Sequence, residues 1–116
     1  MFRMLHMTEL TILEAGRQMA SGEQSAERLT QIYLERIAKY DPALKSVLEI
    51  NPEALKMARV TDAERKKGRV RSPLHGIPVL IKDNISTADQ MQTTAGSRAL
   101  LGHIAQKDAE IVRRLR

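Results

Sequence analysis

The chain has 116 residues, of which 42% are apolar, 28% charged and 3% aromatic, and its net charge is +5. These proportions are typical of one globular domain and exclude a collagenous or disordered protein. The absence of cysteine excludes a disulfide framework, a thiolate zinc site and a cysteine nucleophile, and it favours a cytoplasmic location. No apolar run approaches the roughly 20 residues of a membrane helix, so no membrane contact is expected.

The positive charge is concentrated at residues 65–71 and 113–116. A basic chain invites comparison with nucleic-acid-binding proteins. We do not expect nucleic-acid binding here, because glutamates balance the first third of the chain and no aromatic platform accompanies the basic residues. The ordinary interpretation is a solvated face or a helix C-terminus, where cations complement the helix dipole.

Residues 1–9 are interpreted as a flexible N-terminus, and a first helix is predicted directly after them. Thr11 and Glu14 have the S/T-x-x-E spacing of a capping box. The helix should run through Met19, and Gly22 should end it in a left-handed conformation.

Ser25 is expected to cap a second helix, whose apolar stripe has helical spacing. The stripe consists of Leu29, Ile32, Tyr33, Ile37 and Tyr40. Residues 41–42 (Asp-Pro) should end this helix, because the residue before a proline is disfavoured in the helical region.

Two strands are predicted beyond this helix, at residues 47–50 (VLEI) and 79–81 (VLI). The second is a continuous apolar run, as in a strand buried on both faces, and Pro78 can only open it. A third helix, with Asn51 as its N-cap, should lie between the strands and end at Gly68.

A short helix over residues 98–101 and a final helix capped by Asp108 complete the pattern. Alternating strands and helices predict an α/β fold. Two strands are too few for an independent sheet, so the predicted sheet is incomplete.

Lys82 is the candidate residue for chemistry. It follows the predicted buried strand on the same face as Leu80, and burial there would favour a neutral amine that can act as a general base. The alternative is an ordinary exposed lysine at a strand end. Asp83 and Asn84 can be turn residues.

The remaining polar candidates have simpler interpretations. Thr94 and Ser97 are expected to bond backbone groups, as hydroxyls in glycine-containing turns usually do. His75 is expected to orient the following strand through a backbone hydrogen bond. The three histidines are too far apart in sequence for a metal motif, and no metal site is expected.

Residues 73–85 (PLHGIPVLIKDNI) and 93–97 (TTAGS) resemble the start of the amidase signature family. This family includes bacterial amidases and the A subunit of glutamyl-tRNA(Gln) amidotransferase. The resemblance extends from about Leu10 to the end of the chain. It implies that residues 10–116 are the N-terminal part of an amidase domain, with helices packed on a mixed β-sheet that is incomplete here.

The resemblance also implies a function. Family members hydrolyse carboxylic amides, at carbon–nitrogen bonds other than peptide bonds, through a Ser–cis-Ser–Lys triad. Lys82 matches the lysine of the K-D-N motif, which is the general base. No metal or organic cofactor is implied, and the expected substrate of the complete enzyme is a small-molecule amide.

The departures from the family pattern matter equally. The Gly/Ser-rich segment that carries the two catalytic serines has no counterpart here, and Ser97 is not the nucleophile by motif. Ser86 stands where many relatives carry Asp. The chain alone is therefore expected to be inactive, and it could dock on the missing C-terminal portion or self-associate. Two alternatives remain open: a non-catalytic remnant and a basic interaction module.

Overall fold

Helices dominate the first two thirds of the chain. The computed structural model describes residues 10–116, so the predicted flexible segment 1–9 lies outside the described residues. The elements are α1 (Ile12–Ser21), α2 (Ala26–Leu44), α3 (Ala54–Lys66), a 3-10 helix (Arg98–Leu100) and α4 (Glu110–Leu115). No helix within the described residues has both the length and the hydropathy needed to cross a membrane.

The predicted starts of α1 and α2 are confirmed. The Thr11 hydroxyl accepts a hydrogen bond from the Glu14 N–H at 3.1 Å, and the Ser25 hydroxyl accepts one from the Arg28 N–H at 3.0 Å. Gly22 ends α1 with a φ of 81°, in the left-handed region. Local sequence patterns therefore predict these helix boundaries correctly.

The predicted end of α2 at residues 41–42 is wrong, because the helix continues through Pro42 to Leu44. A proline in the last turn removes only one hydrogen bond, and other groups close this helix end. The Asp41 carboxylate accepts hydrogen bonds from the backbone N–H groups of Ser46 (2.8 Å) and Val47 (3.0 Å). These bonds, with that of Ser46 the strongest, lower the pKa of Asp41.

The core lies where α1, α2 and α3 meet. Its buried members are small or flexible apolar residues: Ala15, Met19, Ala26, Leu29 and Ala58. α3 also caps α2, since the Asp62 carboxylate accepts hydrogen bonds from the N–H groups of Ala26 (2.8 Å) and Glu27 (3.0 Å). Small side chains allow close approach, and this long-range cap fixes the angle at which the helices meet.

The loop after α3 packs against the same junction through Gly76. A Cβ atom at this position would lie 2.9 Å from the Cβ of Ala26, and the φ of Gly76 is +83°. Both the space and the backbone conformation therefore require glycine. The loop is held close to the start of α2 as a result.

The predicted α/β fold with a mixed sheet is wrong for this chain, because residues 10–116 contain no β-strand. Residues 47–50 and 79–81 have no regular secondary structure, and no backbone hydrogen bond joins them. The segment predicted as a buried strand is exposed instead, with Val79 49% and Leu80 73% exposed. An apolar run becomes a strand only when a neighbour pairs with its backbone, and the described residues provide no such neighbour.

The helix boundaries near the C-terminus also differ in detail from the sequence pattern. The short helix is confirmed, as a 3-10 turn. Asp108 does not cap α4, whose N-cap is Ala109 without a side-chain bond. Instead, the Asp108 carboxylate accepts a hydrogen bond from the Ala88 N–H at 2.7 Å and lies 3.4 Å from the Arg116 guanidinium. Asp108 therefore bonds residues distant in sequence instead of capping its own helix.

Candidate active site

The K-D-N and T-T-A-G-S segments, which carried the family resemblance, meet through Asp83. Its carboxylate accepts hydrogen bonds from the hydroxyl of Thr94 and, at 3.1 Å, from the Thr94 N–H. The Asp83 carbonyl also accepts a bond from the Ala95 N–H at 3.2 Å. The Thr94 hydroxyl is the main cause that lowers the pKa of Asp83, and the backbone N–H groups of Thr94 and Gly96 add to it.

This set of bonds, which we call the Asp83 clamp, holds a tight turn over residues 94–97. The Ser97 N–H donates to the Thr94 carbonyl at 2.9 Å. Both central residues have positive φ, 50° at Ala95 and 75° at Gly96, as in a type I′ turn. A non-glycine residue in this region is strained, so the Asp83 clamp stabilises a conformation that the local sequence resists.

The hydroxyls of Thr94 and Ser97 bond the backbone, as predicted. Thr94 Oγ1 accepts from the Gly96 N–H at 3.2 Å, and Ser97 Oγ accepts from the Ala99 N–H at 3.3 Å at the start of the 3-10 helix. Each hydroxyl therefore has a structural role in the turn or in the cap of the next helix.

Lys82 lies on the surface beside the Asp83 clamp, as in the alternative of an ordinary exposed lysine and not in the buried environment of a covered strand. Within the described residues its Nζ has no hydrogen-bond or ion-pair partner. It lines a groove of about 290 Å³ together with Leu80, Ile81 and residues 46–49. The lysine is thus available to a group that enters this groove.

Residues 46–49 of the groove lining are joined to the segment that precedes the T-T-A-G-S turn. The Glu49 carboxylate accepts a hydrogen bond from the Gln92 N–H at 2.8 Å. Glu49, Lys82 and Gln92 all line the groove. A carboxylate and a lysine therefore line the same groove.

His75 belongs to the scaffold. Its ring is buried, with Nε2 3.0 Å from the Thr61 carbonyl, and its Nδ1 accepts a bond from the Arg71 guanidinium at 3.4 Å. The Nε2 atom therefore donates to the Thr61 carbonyl, which can only accept. It bonds a backbone group, as predicted, but this group lies in α3, and no strand follows within the described residues for it to orient.

Sequence reasoning missed the role of Asp83, which it treated as a turn residue. The sequence offered only the pair Thr93-Thr94 as a signal; the structure buries both, and buried hydroxyls need partners. Thr94 finds the Asp83 carboxylate. Thr93 donates its N–H to the His103 carbonyl at 2.9 Å, while its hydroxyl has no partner in the described part of the chain.

Comparison with known proteins places this geometry in a family. The family model for Amidase matches residues 28–116. The chain is 41% identical over 113 residues to the A subunit of glutamyl-tRNA(Gln) amidotransferase from Myxococcus xanthus, covering 97% of this chain and 23% of the relative. It is 50% identical over 94 residues to a protein of Arabidopsis thaliana named "Probable amidase", covering 79% of this chain and 18% of the relative.

Solved structures agree. The peptide amidase from Stenotrophomonas maltophilia superposes with a TM-score of 0.89 at 50% identity, over 94% of this chain and 23% of that chain. An amidase family protein from Bacillus anthracis gives 0.87 at 44% identity, over 93% and 22%. The chain spans about a fifth of the length of these relatives. The chain belongs to the amidase family, as the counterpart of the N-terminal part of its members.

Proposed function

We propose that this chain supplies the general base of an amidase that hydrolyses small-molecule carboxylic amides, with Lys82 as the base. The observation that carries the proposal is the Asp83 clamp, which joins the K-D-N and T-T-A-G-S segments beside an unpartnered Lys82. It supports the proposal that the residue next to Asp83 has a fixed place in the groove.

In this mechanism, as the resemblance implies it, a neutral Lys82 accepts a proton through a bridging serine from a nucleophilic serine. The serine oxygen then attacks the amide carbon, and backbone N–H groups stabilise the oxyanion. The carbon–nitrogen bond breaks as the leaving amine takes up the proton, and water releases the acyl group. Both serines belong to the part of the fold that follows residue 116 in the relatives.

The relatives indicate the substrate class of the proposed enzyme. The solved relative with 50% identity is called a peptide amidase, whereas the chain is 41% identical to the amidotransferase relative. Within the amidase family, we propose a stand-alone amidase that acts on amides such as those of peptides, with the peptide amidase as the structural neighbour that supports it. The proposal includes a cytoplasmic location, which cell fractionation would test.

The test is a chimeric enzyme in which this chain replaces the matching N-terminal part of the peptide amidase from Stenotrophomonas maltophilia. Turnover of peptide amides should fall by about 10²–10⁴-fold in Lys82→Ala, the usual contribution of a positioned acid or base. Lys107→Ala, at another exposed lysine, is the matched control and should keep full activity.

Two results decide the proposal. An active chimera that tolerates Lys82→Ala would refute the role of Lys82. The 116-residue chain alone should show no turnover, because its motif hydroxyls at Thr94 and Ser97 already bond the turn and the family's Gly/Ser-rich segment has no counterpart in it. Turnover by the chain alone that vanishes in Lys82→Ala would mean that a local hydroxyl is the nucleophile.

A further inference from the structure

The loop that follows α3 presents a serine on a strongly basic surface. Residues 64–71 carry five cationic side chains and one carboxylate, and Ser72 comes directly after them. Ser72 is exposed, and so are the residues on both sides of it. It does not line the groove that contains Lys82. Its hydroxyl is therefore within reach of a large reagent, away from the candidate active site.

The backbone before Ser72 suits an enzyme that binds its substrate as an extended chain. Residues 69–71 have no regular secondary structure, and the N–H groups of the last two have no hydrogen-bond partner within the described residues. A turn begins only at Ser72, whose carbonyl accepts from the His75 N–H at 3.0 Å and whose hydroxyl accepts from the Leu74 N–H at 3.1 Å. The proton of this hydroxyl has no acceptor in the described part of the chain.

Ser46 shows what distinguishes Ser72 from another exposed serine of this chain. Ser46 is exposed and follows a lysine. Its hydroxyl donates to the Asp41 carboxylate at 2.8 Å. An anion attached to that oxygen would lie beside a carboxylate, whereas an anion attached to Ser72 would lie beside cations.

Two arginines precede the serine, three residues and one residue upstream. The Arg69 guanidinium is exposed and has no hydrogen-bond or ion-pair partner within the described residues. The Arg71 guanidinium donates to the Glu64 carboxylate at 3.0 Å and to the Arg116 carbonyl. A phosphate on Ser72 would bring three strong acceptor oxygens next to these groups. It would compete with Glu64 for Arg71, because arginine pairs well with phosphate.

We propose that Ser72 is a phosphorylation site for a protein kinase that selects arginine three residues before its target and proline directly after it, and that the added phosphate pairs with Arg71. The Ser72 oxygen attacks the γ-phosphorus of ATP, and the bond from that phosphorus to the β-phosphate oxygen breaks. The hydroxyl proton passes to the catalytic aspartate of the kinase, and ADP leaves. The new group carries a charge of about −1.5 to −2, which offsets about half of the positive excess of residues 64–71.

The test incubates the full chain with MgATP and a protein kinase of this selectivity, and maps the modified residues by mass spectrometry. We expect one phosphoryl group, on Ser72. Arg69→Gln should slow the modification by about tenfold or more, because it removes the unpaired cation that an acidic substrate groove selects. Lys67→Gln is the matched control: it removes another exposed charge of the same basic run and should leave the rate close to that of the wild type.

A second measurement tests the pairing of the phosphate with Arg71. Phosphorus NMR of the phosphorylated chain follows the second ionisation of the phosphate, which occurs at about pH 6 in an unpaired phosphoserine. A neighbouring guanidinium favours the dianion. Arg71→Gln should therefore raise the pH of this transition, and Lys67→Gln should leave it unchanged.

Three results of the kinase experiment would overturn the site: no phosphate on Ser72, equal modification of Ser46 or Ser97, or equal slowing by Arg69→Gln and Lys67→Gln. The last result would mean that total charge, and not the arginine position, attracts the kinase. A phosphate transition that Arg71→Gln leaves unchanged would overturn the pairing. The inference does not depend on the proposed function, since none of these measurements involves amide hydrolysis.

Discussion

Two adjacent residues have opposite environments in this chain. Asp83 is held by the hydroxyl and N–H of Thr94, while Lys82 is exposed, lines the groove and has no hydrogen-bond or ion-pair partner within the described residues. A carboxylate with several donors is a rigid anchor, because charge-assisted hydrogen bonds are shorter and stronger than neutral ones. The anchor fixes the backbone directly beside the proposed base.

We expect Asp83→Asn to loosen the 94–97 turn. An amide keeps one oxygen but loses the second acceptor, so one of the two bonds from Thr94 is lost. Amide exchange of Thr94, Ala95 and Ser97 should accelerate by roughly threefold to tenfold, as for loss of one ordinary hydrogen bond at a solvent-accessible site. Asn84→Ala, at the exposed neighbour, is the control, and equal exchange rates in both variants would contradict the role of the Asp83 clamp.

The same carboxylate predicts a pH dependence. The pKa of Asp83 is lowered from the ordinary 3.8, mainly by the Thr94 hydroxyl. The contribution of the Asp83 carboxylate to stability is therefore fully present above its pKa in the unfolded chain. It is lost as the pH falls through its lower pKa in the folded chain. The 94–97 turn should open in acid below about pH 4. Exchange rates measured between about pH 2 and pH 6 should show this step in the wild type and not in Asp83→Asn.

At the scale of elements, the contact between Gly76 and Ala26 couples the loop after α3 to the start of α2. We expect Gly76→Ala to lower the free energy of unfolding by about 1–3 kcal/mol, since an L-residue is disfavoured at this φ and its Cβ would clash. Gly102→Ala is the matched control, with a φ of +82° and open space around its Cα. Urea unfolding should show a larger loss for Gly76→Ala, and equal losses would mean that the contact is unimportant.

An element could be predicted from the sequence when the contacts that determine it join residues close together in the chain. Thr11 and Ser25 bond N–H groups three residues away, so the sequence alone revealed both caps. The strand at residues 79–81 required a neighbouring strand that the described residues do not contain. Asp108 bonds Ala88 rather than its own helix, a choice that depends on the tertiary fold.

The candidate site also combines features that a contiguous motif predicts with contacts that depend on the tertiary fold. Lys82 was identified by its motif, since the K-D-N run is contiguous. The bond between Asp83 and Thr94 joins residues eleven apart in a loop, and no periodic pattern indicates it. The exposure of Lys82 matches the alternative interpretation of an ordinary exposed lysine, and the sequence alone could not decide between the two because burial required the run at residues 79–81 to be a buried strand.

At the scale of the whole molecule, the core is small for the apolar surface it leaves exposed. Leu29 is the largest side chain that is fully buried in the described part of the chain, while Leu13, Leu44 and Leu101 are about 70% exposed. We expect concentration-dependent association of the isolated chain and a broad thermal transition. Sedimentation and calorimetry would check this, and a soluble monomer with one sharp transition would contradict it.

The positive φ of Ala95 has a consequence for chirality. Its value of 50° is the mirror image of the region that L-residues prefer, and it is the natural region of D-residues. D-alanine at this position would therefore adopt the backbone conformation of the turn without strain. In a chain assembled by chemical synthesis, inverting this single stereocentre should strengthen the turn, whereas the same inversion inside α2 would break the helix. The 94–97 turn thus favours the mirror-image form of the residue that it contains.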